Sequence, residues 1–324
     1  MEKILITGIT GYIGGILAGI AVANGKETHG TTWEQESGSN VQEMKKISTV
    51  HHCDMRNKVS VERMIKKISP ERIFHLAAQS MPTTSWTYAK ETLETNILGT
   101  VNIYEAVKKV GIDPVVVVAC SSAEYGQTLF DRKNIPVTEE HPLLPLHPYG
   151  VSKVAQDLLS YQYFKNFGIK VVRCRIFNTT GPGKTKDAAA DWAVQVARIE
   201  AGLQKPVIKV GNLGAFRDIT DGRDMALALL LASEKCKHGE VYNISSSKPY
   251  KMRDILDKLI HLSETKISVE TDPTRMRHID EPIISSDNRK FVATTGWQPQ
   301  IPVEKTLEDM LNWFREKIRK DGNA

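Results

Sequence analysis

The sequence predicts an α/β fold built on a doubly wound parallel sheet, and three observations carry the prediction. Short apolar runs alternate with longer amphipathic ones through the first 178 residues, a glycine-rich turn joins the first such pair, and the rhythm loosens beyond Asn178. In chain order, residues 3–7 read as strand and 12–24 as helix, 27–31 as strand, 49–54 as strand and 58–68 as helix. The series continues with strand 72–76, helix 87–110, strand 114–120, helix 149–167 and strand 170–177. Strands joined through helices pair in parallel, and right-handed crossovers lay those helices on both faces of the sheet.

Past Asn178 the chain passes through Gly181-Pro182-Gly183, a helix at 191–201 and a short strand at 207–210, where a second, smaller domain begins. Residues 221–232 and 240–244 again read as helix then strand and return to the main sheet. The expected division is 1–178 with about 218–247 for the first domain, and 179–217 with 248–324 for a discontinuous C-terminal one. With 41% hydrophobic and 25% charged residues the composition is that of a globular chain. The longest aliphatic run, 115–119, is far short of the roughly 20 residues a membrane span requires. No basic, apolar and cleavable series follows Met1, so the cytoplasm is the expected address.

Cys53, Cys120, Cys174 and Cys236 lie far apart in apolar or strand-like segments, which fits reduced thiols and neither a disulfide nor a metal site. The net charge of +5 comes from dispersed lysines and arginines, without the interleaved aromatics of a nucleic-acid face. It favours a small anionic substrate instead. Arg315, Lys317, Arg319 and Lys320 read as a solvated helix end.

Gly8, Gly11 and Gly14 sit between the first strand and the first helix, as a dinucleotide-binding loop requires. The first glycine permits the tight turn, the second admits a pyrophosphate to the backbone, and the third lets helix and strand approach. Asp54 is placed either to accept from an adenine amino group or to cap the helix near Lys58. After the second strand stand Thr31-Thr32-Trp33-Glu34, with an acid and no arginine, which favours NAD(H) over NADP(H). Tyr149 and Lys153 stand four apart at the start of a helix and therefore share a face. A phenol with a pKa of about 10 needs a neighbouring positive charge to exchange its proton near neutrality. Ser121, after the fifth strand, belongs at the carboxyl edge of the sheet, where such folds bind ligands.

The loop 8–14, His75-Leu76-Ala77-Ala78-Gln79-Ser80, Asn96-Ile97-Leu98-Gly99-Thr100, Ser121-Ser122-Ala123-Glu124-Tyr125-Gly126 and 149–153 together resemble the extended short-chain dehydrogenase/reductase family of sugar-nucleotide enzymes. The second half, through 177–183, 210–213, Arg217-Asp218 and 294–297, is similar to the GDP-6-deoxy-D-mannose reductases and GDP-mannose 4,6-dehydratases within it. The resemblance implies a Rossmann-type doubly wound sheet with a substrate-binding second domain, a homodimer or higher homo-oligomer, and a GDP-sugar substrate. Ser121, Tyr149 and Lys153 would be catalytic. Gly8, Gly11, Tyr12, Ile13, Gly14, Thr32, Asp54, Met55, Leu76, Ala77, Ala78 and Phe177, with Tyr149 and Lys153, would hold the cofactor. Ser80, Ser122, Ala123, Asn178, Val210, Asn212, Arg217, Arg277 and Asp280 would meet the substrate. The dehydratases use a carboxylate at the position of Ala123, and alanine offers no base, so dehydration is disfavoured. The expected chemistry is hydride transfer at C4, most simply reduction of a GDP-4-keto-6-deoxy-mannose-type sugar. The alternatives are a C4 dehydrogenase or 4-epimerase for another GDP-sugar, such as a heptose, with tightly held NAD, and a cofactor-binding sensor without turnover.

Overall fold

The computed structural model describes residues 1–33 and 38–321. Seven parallel strands form the main sheet, in spatial order Val241–Ile244, Val171–Ile176, Val115–Ser121, Arg72–His75, Lys3–Thr7, Glu27–Thr32 and Thr49–His52. The winding reverses between Lys3–Thr7 and Arg72–His75. The crevice that opens there, at the carboxyl ends of the strands, is where doubly wound sheets hold ligands.

Strand alternation sends successive side chains to opposite faces, and two cores result. Ile4, Ile6, Phe74, Val117 and Val172 pack into one, with the helices Tyr12–Ala23 and Gly222–Lys235 above them. Leu5, Ile73, Val116, Val118 and Val171 pack into the other, under Lys58–Ile68 and Gly99–Val110. Both faces are covered, which explains the unbroken apolar runs of the strands.

The helix expected over 87–110 is divided. Helices Pro82–Thr87 and Ala89–Leu93 precede a π-helical turn, Glu94–Leu98, and Gly99–Val110 follows it. The fully buried Asn96 lies in that turn, donating to Gln79 O (3.0 Å) and Ser152 Oγ (2.9 Å) and accepting from Gln79 N (2.8 Å). Such turns re-aim side chains near functional sites. Nothing in the apolar pattern announces it.

The remainder is a second lobe with a core of its own. Strand Phe216–Asp221 pairs antiparallel with Pro249–Lys251 and parallel with Ile283–Ile284 and Asn178–Thr180. A separate parallel pair joins Val207–Val210 to Ser268–Thr271. Helices Ala188–Glu200, Met252–His261 and Val303–Asp321 enclose Trp192, Val196, Ile255, Leu259, Leu307 and Leu311. Phe291 and Trp297, although late in the chain, pack into the first core of the main sheet. Arg315 is not the solvated helix end expected of it: its guanidinium donates to both Glu200 oxygens (2.8 and 2.7 Å) and to Leu262 O (2.9 Å), fastening the last helix to two others.

All four cysteines are buried as free thiols. Among the described residues, no helix is long and apolar enough to cross a membrane.

Candidate active site

The glycine loop is shaped by close approach. Gly8 takes φ +73°, in the left-handed region where a side chain is strained, and a Cβ there would stand 3.0 Å from Ala77 Cα. A Cβ on Gly14 would stand 2.4 Å from Gly8 O, so helix and strand meet only through glycine. Gly11 N donates to Gly8 O (3.0 Å) to close the turn, and Gly8 N donates to Thr31 Oγ1 (3.1 Å). The helix starts at Tyr12 with no side-chain cap and no acid in its first turn. Its leading N–H groups, at Tyr12, Ile13 and Gly14, are therefore left for an anion.

Across the crevice, Leu76 N and Ala77 N both donate to Thr7 Oγ1 (3.1 Å each), which sets the half-buried stretch through Ala78 beside the loop. This cradle fits a dinucleotide pyrophosphate. Gly14→Ala should weaken cofactor binding by about tenfold or more, since the new methyl collides with backbone and not with a yielding side chain. Titration of intrinsic fluorescence with the cofactor reads this, and unchanged affinity would show that the loop does not hold it.

At the outer edge, Thr32 is buried beneath Thr10. Met55 is buried too, its backbone oxygen accepting from Asn102 Nδ2 (2.8 Å). Asp54 does not cap the neighbouring helix. Asn57 does, accepting from Ser60 N (3.0 Å), while the Asp54 carboxylate is clasped by the Arg56 guanidinium (2.7–3.1 Å). Reading only the second strand for an arginine missed Arg56, which the third strand brings to the same edge. Glu34, the acid on which the choice of NAD(H) leaned, lies outside the described residues.

Tyr149 and Lys153 rise from helix Pro148–Phe167, whose N-cap is His147; its Nδ1 accepts from Gly150 N (3.0 Å). Tyr149 is 9% exposed and Lys153 3%. The ammonium donates to Ala119 O (2.7 Å) and Gln156 Oε1 (2.8 Å), and lies 5.8 Å from the centre of the Tyr149 ring. Burial pushes the phenol up to about 12, against a hydrogen bond from Ser121 that pulls it down. Burial also pulls Lys153 down to about 8. The tyrosine therefore needs every nearby positive charge to release its proton, and Lys153 still carries one at neutral pH.

Ser121 ends its strand in a tight turn. Its hydroxyl accepts from Ala123 N (3.2 Å), and its own N–H donates to Glu124 Oε1 (2.7 Å). Glu124 is fully buried, with Arg175 Nε 3.2 Å from its second oxygen and Asp157 bridging Arg175 and Arg173 behind it. It therefore supports the floor of the site. Ser122 is buried beside it. Ala123 packs against the helix start so tightly that a Cβ on Gly150 would stand 2.7 Å from Ala123 O.

In the second lobe, four of the expected substrate residues converge. Arg217, 6% exposed, donates to Phe216 O (2.8 Å), Glu281 O (2.7 Å) and Asp280 Oδ1 (2.5 Å). Asn212 Nδ2 donates to Asp280 Oδ2 (2.7 Å), and Arg277 Nη1 stands 3.6 Å from Asp280 Oδ1. The half-exposed Arg277 and the exposed Asn212 are the members open to a ligand. Val210 is buried, and its carbonyl oxygen accepts from Asp272 N (2.8 Å). Asn178 keeps a buried side-chain oxygen without a hydrogen-bond partner, as expected of a group aimed at a ligand. Phe177 is a core residue tilted against Tyr125, and Ser80 is exposed.

The two groups are joined by residues the sequence pattern did not flag. His147 stacks on Tyr149 with ring centres 5.9 Å apart and lies within the electrostatic reach of Glu281 and Arg277. Trp86, from the helix after the fourth strand, meets His278 edge-on at 5.9 Å. His147 directly before Pro148, at a helix start, was the available signal. Trp86 had none.

The chain matches the family model described as GDP-mannose 4,6 dehydratase over residues 5–310. It is 28% identical over 322 residues to GDP-6-deoxy-D-mannose reductase from Pseudomonas aeruginosa, covering 99% of each chain. The solved structure of RMD from Pseudomonas aeruginosa complexed with NADPH superposes with a TM-score of 0.85 at 26% identity, over 98% of this chain and 100% of that one. The complex of Thermus thermophilus UDP-glucose 4-epimerase with NAD gives 0.85 at 25% identity, over 97% and 99%.

Proposed function

The chain belongs to the GDP-mannose 4,6 dehydratase family, and from that premise we propose that it is an NAD(P)-dependent oxidoreductase acting at C4 of a GDP-linked sugar, reducing a GDP-4-keto-6-deoxy-mannose-type substrate. One observation carries the choice of reaction. Tyr149 and Ser121 are hydrogen-bonded at the carboxyl edge beside Lys153, while the position from which a dehydratase base would act is Ala123. Glu124 does not replace that base, because its carboxyl is enclosed against Ser121 N, Arg175 and Asp157.

A nicotinamide bound here would supply the hydride. Gly8, Gly11 and Gly14 with the N–H groups of the first helix would hold its pyrophosphate, and Leu76–Ala78 would line the opposite wall. Ser121 donates to the C4 carbonyl oxygen and polarises it, and Tyr149 delivers the proton to that oxygen as hydride arrives at carbon. Lys153 stabilises the phenolate left behind. Asn178 and Arg217 would take the diphosphate, and Arg277 and Asp280 the nucleoside end, with the lobes divided as 1–178 plus about 218–247 and 179–217 plus 248–324, the strand Phe216–Asp221 crossing that boundary to join the small sheet.

Incubation with a GDP-4-keto-6-deoxy sugar and reduced cofactor tests this: loss of reduced-nicotinamide absorbance is expected. Conversion of GDP-mannose to its 4-keto-6-deoxy form would overturn the choice of reaction. A second reading, a C4 dehydrogenase or 4-epimerase with recycled NAD, draws on residues 184–190, a stretch without the aromatic or bulky apolar residues expected over a deoxysugar. Mass spectrometry of what denaturation releases separates the two, since only the second retains stoichiometric dinucleotide. Assembly as a homodimer is proposed on Val151 and Leu158, which lie seven apart on one face of helix Pro148–Phe167 and are 46% and 55% exposed. Val151→Glu with Leu158→Glu should then halve the mass seen by equilibrium sedimentation; an unchanged mass removes that face from consideration.

A further inference from the structure

Lys153 is almost fully buried, yet the proposed chemistry needs it charged. Its surroundings show how the charge is kept. Two of its three N–H groups are used, one by Ala119 O and one by Gln156 Oε1. The third is left for the tyrosine and cofactor side. Gln156 is itself fully buried on the same helix, three residues on.

The orientation of the Gln156 amide follows from the groups behind it. Thr100 has one hydroxyl proton, which it gives to Asn96 O at 2.6 Å. Toward Gln156 Nε2 (2.9 Å) and His75 Nε2 (3.0 Å) it therefore acts only as acceptor. The amide nitrogen must face Thr100, and the amide oxygen must face the ammonium. His75 is fixed by the same logic: Nε2 carries the proton, and Nδ1 accepts from Thr7 Oγ1 at 2.9 Å. Thr7 then receives Leu76 N and Ala77 N. Each proton in the chain has one place.

We propose that Gln156 is a positioning residue for the reaction, its amide oxygen holding Lys153 protonated and its amide nitrogen tying that oxygen, through Thr100 and His75, to the Leu76–Ala77 backbone beside the cofactor. The proposal rests on Tyr149 and Lys153 being the proton-transfer pair. Burial opposes the lysine's charge and an ionised Glu124 favours it, while Cys120, whose thiol burial keeps protonated, carries no charge toward it. His75 adds no competing charge, since burial and Lys153 hold it neutral, down to about 3. On the lysine's own helix the titratable groups nearby are Tyr149 and, clustered with Cys120 and Glu124, the buried Asp157, whose charge is paired with Arg173 and Arg175. Among these groups, Gln156 is the uncharged one whose acceptor can be removed without adding or deleting a charge.

The side-chain nitrogen of Lys153, observed by NMR in lysine-labelled protein and assigned by its loss in Lys153→Met, gives the titration directly. Gln156→Met should lower its midpoint by about 1 pH unit, the size expected from losing a hydrogen bond to a charged group. Gln156→Glu should raise it by about as much, and Thr100→Val, which frees the amide to turn, should lower it by less. The alkaline fall in hydride transfer should move with the midpoint in each variant, whereas a packing role would lower the rate by one factor at every pH. An unchanged midpoint in folded Gln156→Met overturns the proposal, as does an unchanged or lowered one in Gln156→Glu, which carries the test if the methionine variant does not fold. The NMR arm needs no substrate, so absence of turnover with any GDP-sugar would count against the enzymatic reading and leave this result standing.

Discussion

Tyr149→Phe is expected to cut hydride transfer by about a thousandfold while leaving cofactor affinity within about twofold. The phenol is the group whose proton reaches the C4 oxygen in this arrangement, and phenylalanine removes that proton alone. The ring stays, so its packing with His147 and its place beside Lys153 are kept. Ser121 retains its turn, because Ala123 N and Glu124 hold it independently of Tyr149. What remains is polarisation of the carbonyl and alignment of hydride, which explains a residual rate well above the uncatalysed one. Single-turnover measurement with preformed cofactor complex isolates the step. A rate within tenfold of the parent would move the proton to another group, and His147, in ring contact with Tyr149, would be the one to replace next.

The alternating halves of the fold were legible because strands buried on both faces must be apolar throughout and must be separated by amphipathic helices. Ile4-Leu5-Ile6 and Val116-Val117-Val118 meet that demand literally, one residue per core in turn. Strand ends moved by a residue or two. The glycine loop was legible for a related reason, since Gly14 answers a backbone distance that no other residue satisfies.

The second lobe was harder because its signals are weak. Phe216–Asp221 is the centre of the small sheet, yet Arg217, Asp218, Thr220 and Asp221 are polar residues buried by strand pairing, the first two and Asp221 with side-chain hydrogen bonds as well. Hydrophobic periodicity does not register such a strand. The π-helical turn at Glu94–Leu98 and the chain from Lys153 to Thr7 were invisible for the same cause: they are built from side-chain hydrogen bonds, several of them between residues far apart in sequence, up to 68 positions. Resemblance supplied Arg217, Arg277, Asn212 and Asp280 as separate residues. Their convergence on one carboxylate is a property of the fold.

That convergence gives Arg217→Met a dual effect. Removing the guanidinium leaves Asp280 with Asn212 and the more distant Arg277, and strips Phe216 O and Glu281 O of a donor. Breaking a buried pair from one side costs about 3–5 kcal/mol when the remaining charge is wholly enclosed. Asp280 keeps 15% exposure and two polar neighbours, so the lower end, about 3 kcal/mol, is expected in denaturant unfolding. Substrate binding should suffer separately. If Arg217 meets the diphosphate, the variant should raise KM for the GDP-sugar about a hundredfold or more, as for loss of a charged partner in a desolvated contact. Its kcat at saturation should change little, because Tyr149, Ser121 and Lys153 lie in the other lobe. The split is opposite in sense to that of Tyr149→Phe. If Arg217→Met lowers kcat and leaves KM untouched, the cluster does not bind the diphosphate but holds the lobes in register, through Glu281 and Arg277 to His147 and thence to Tyr149. Arg217→Lys then decides the matter. A lysine restores the charge but not the three-way fork that reaches Phe216, Asp280 and Glu281 together, so it should recover part of the affinity and little of the stability.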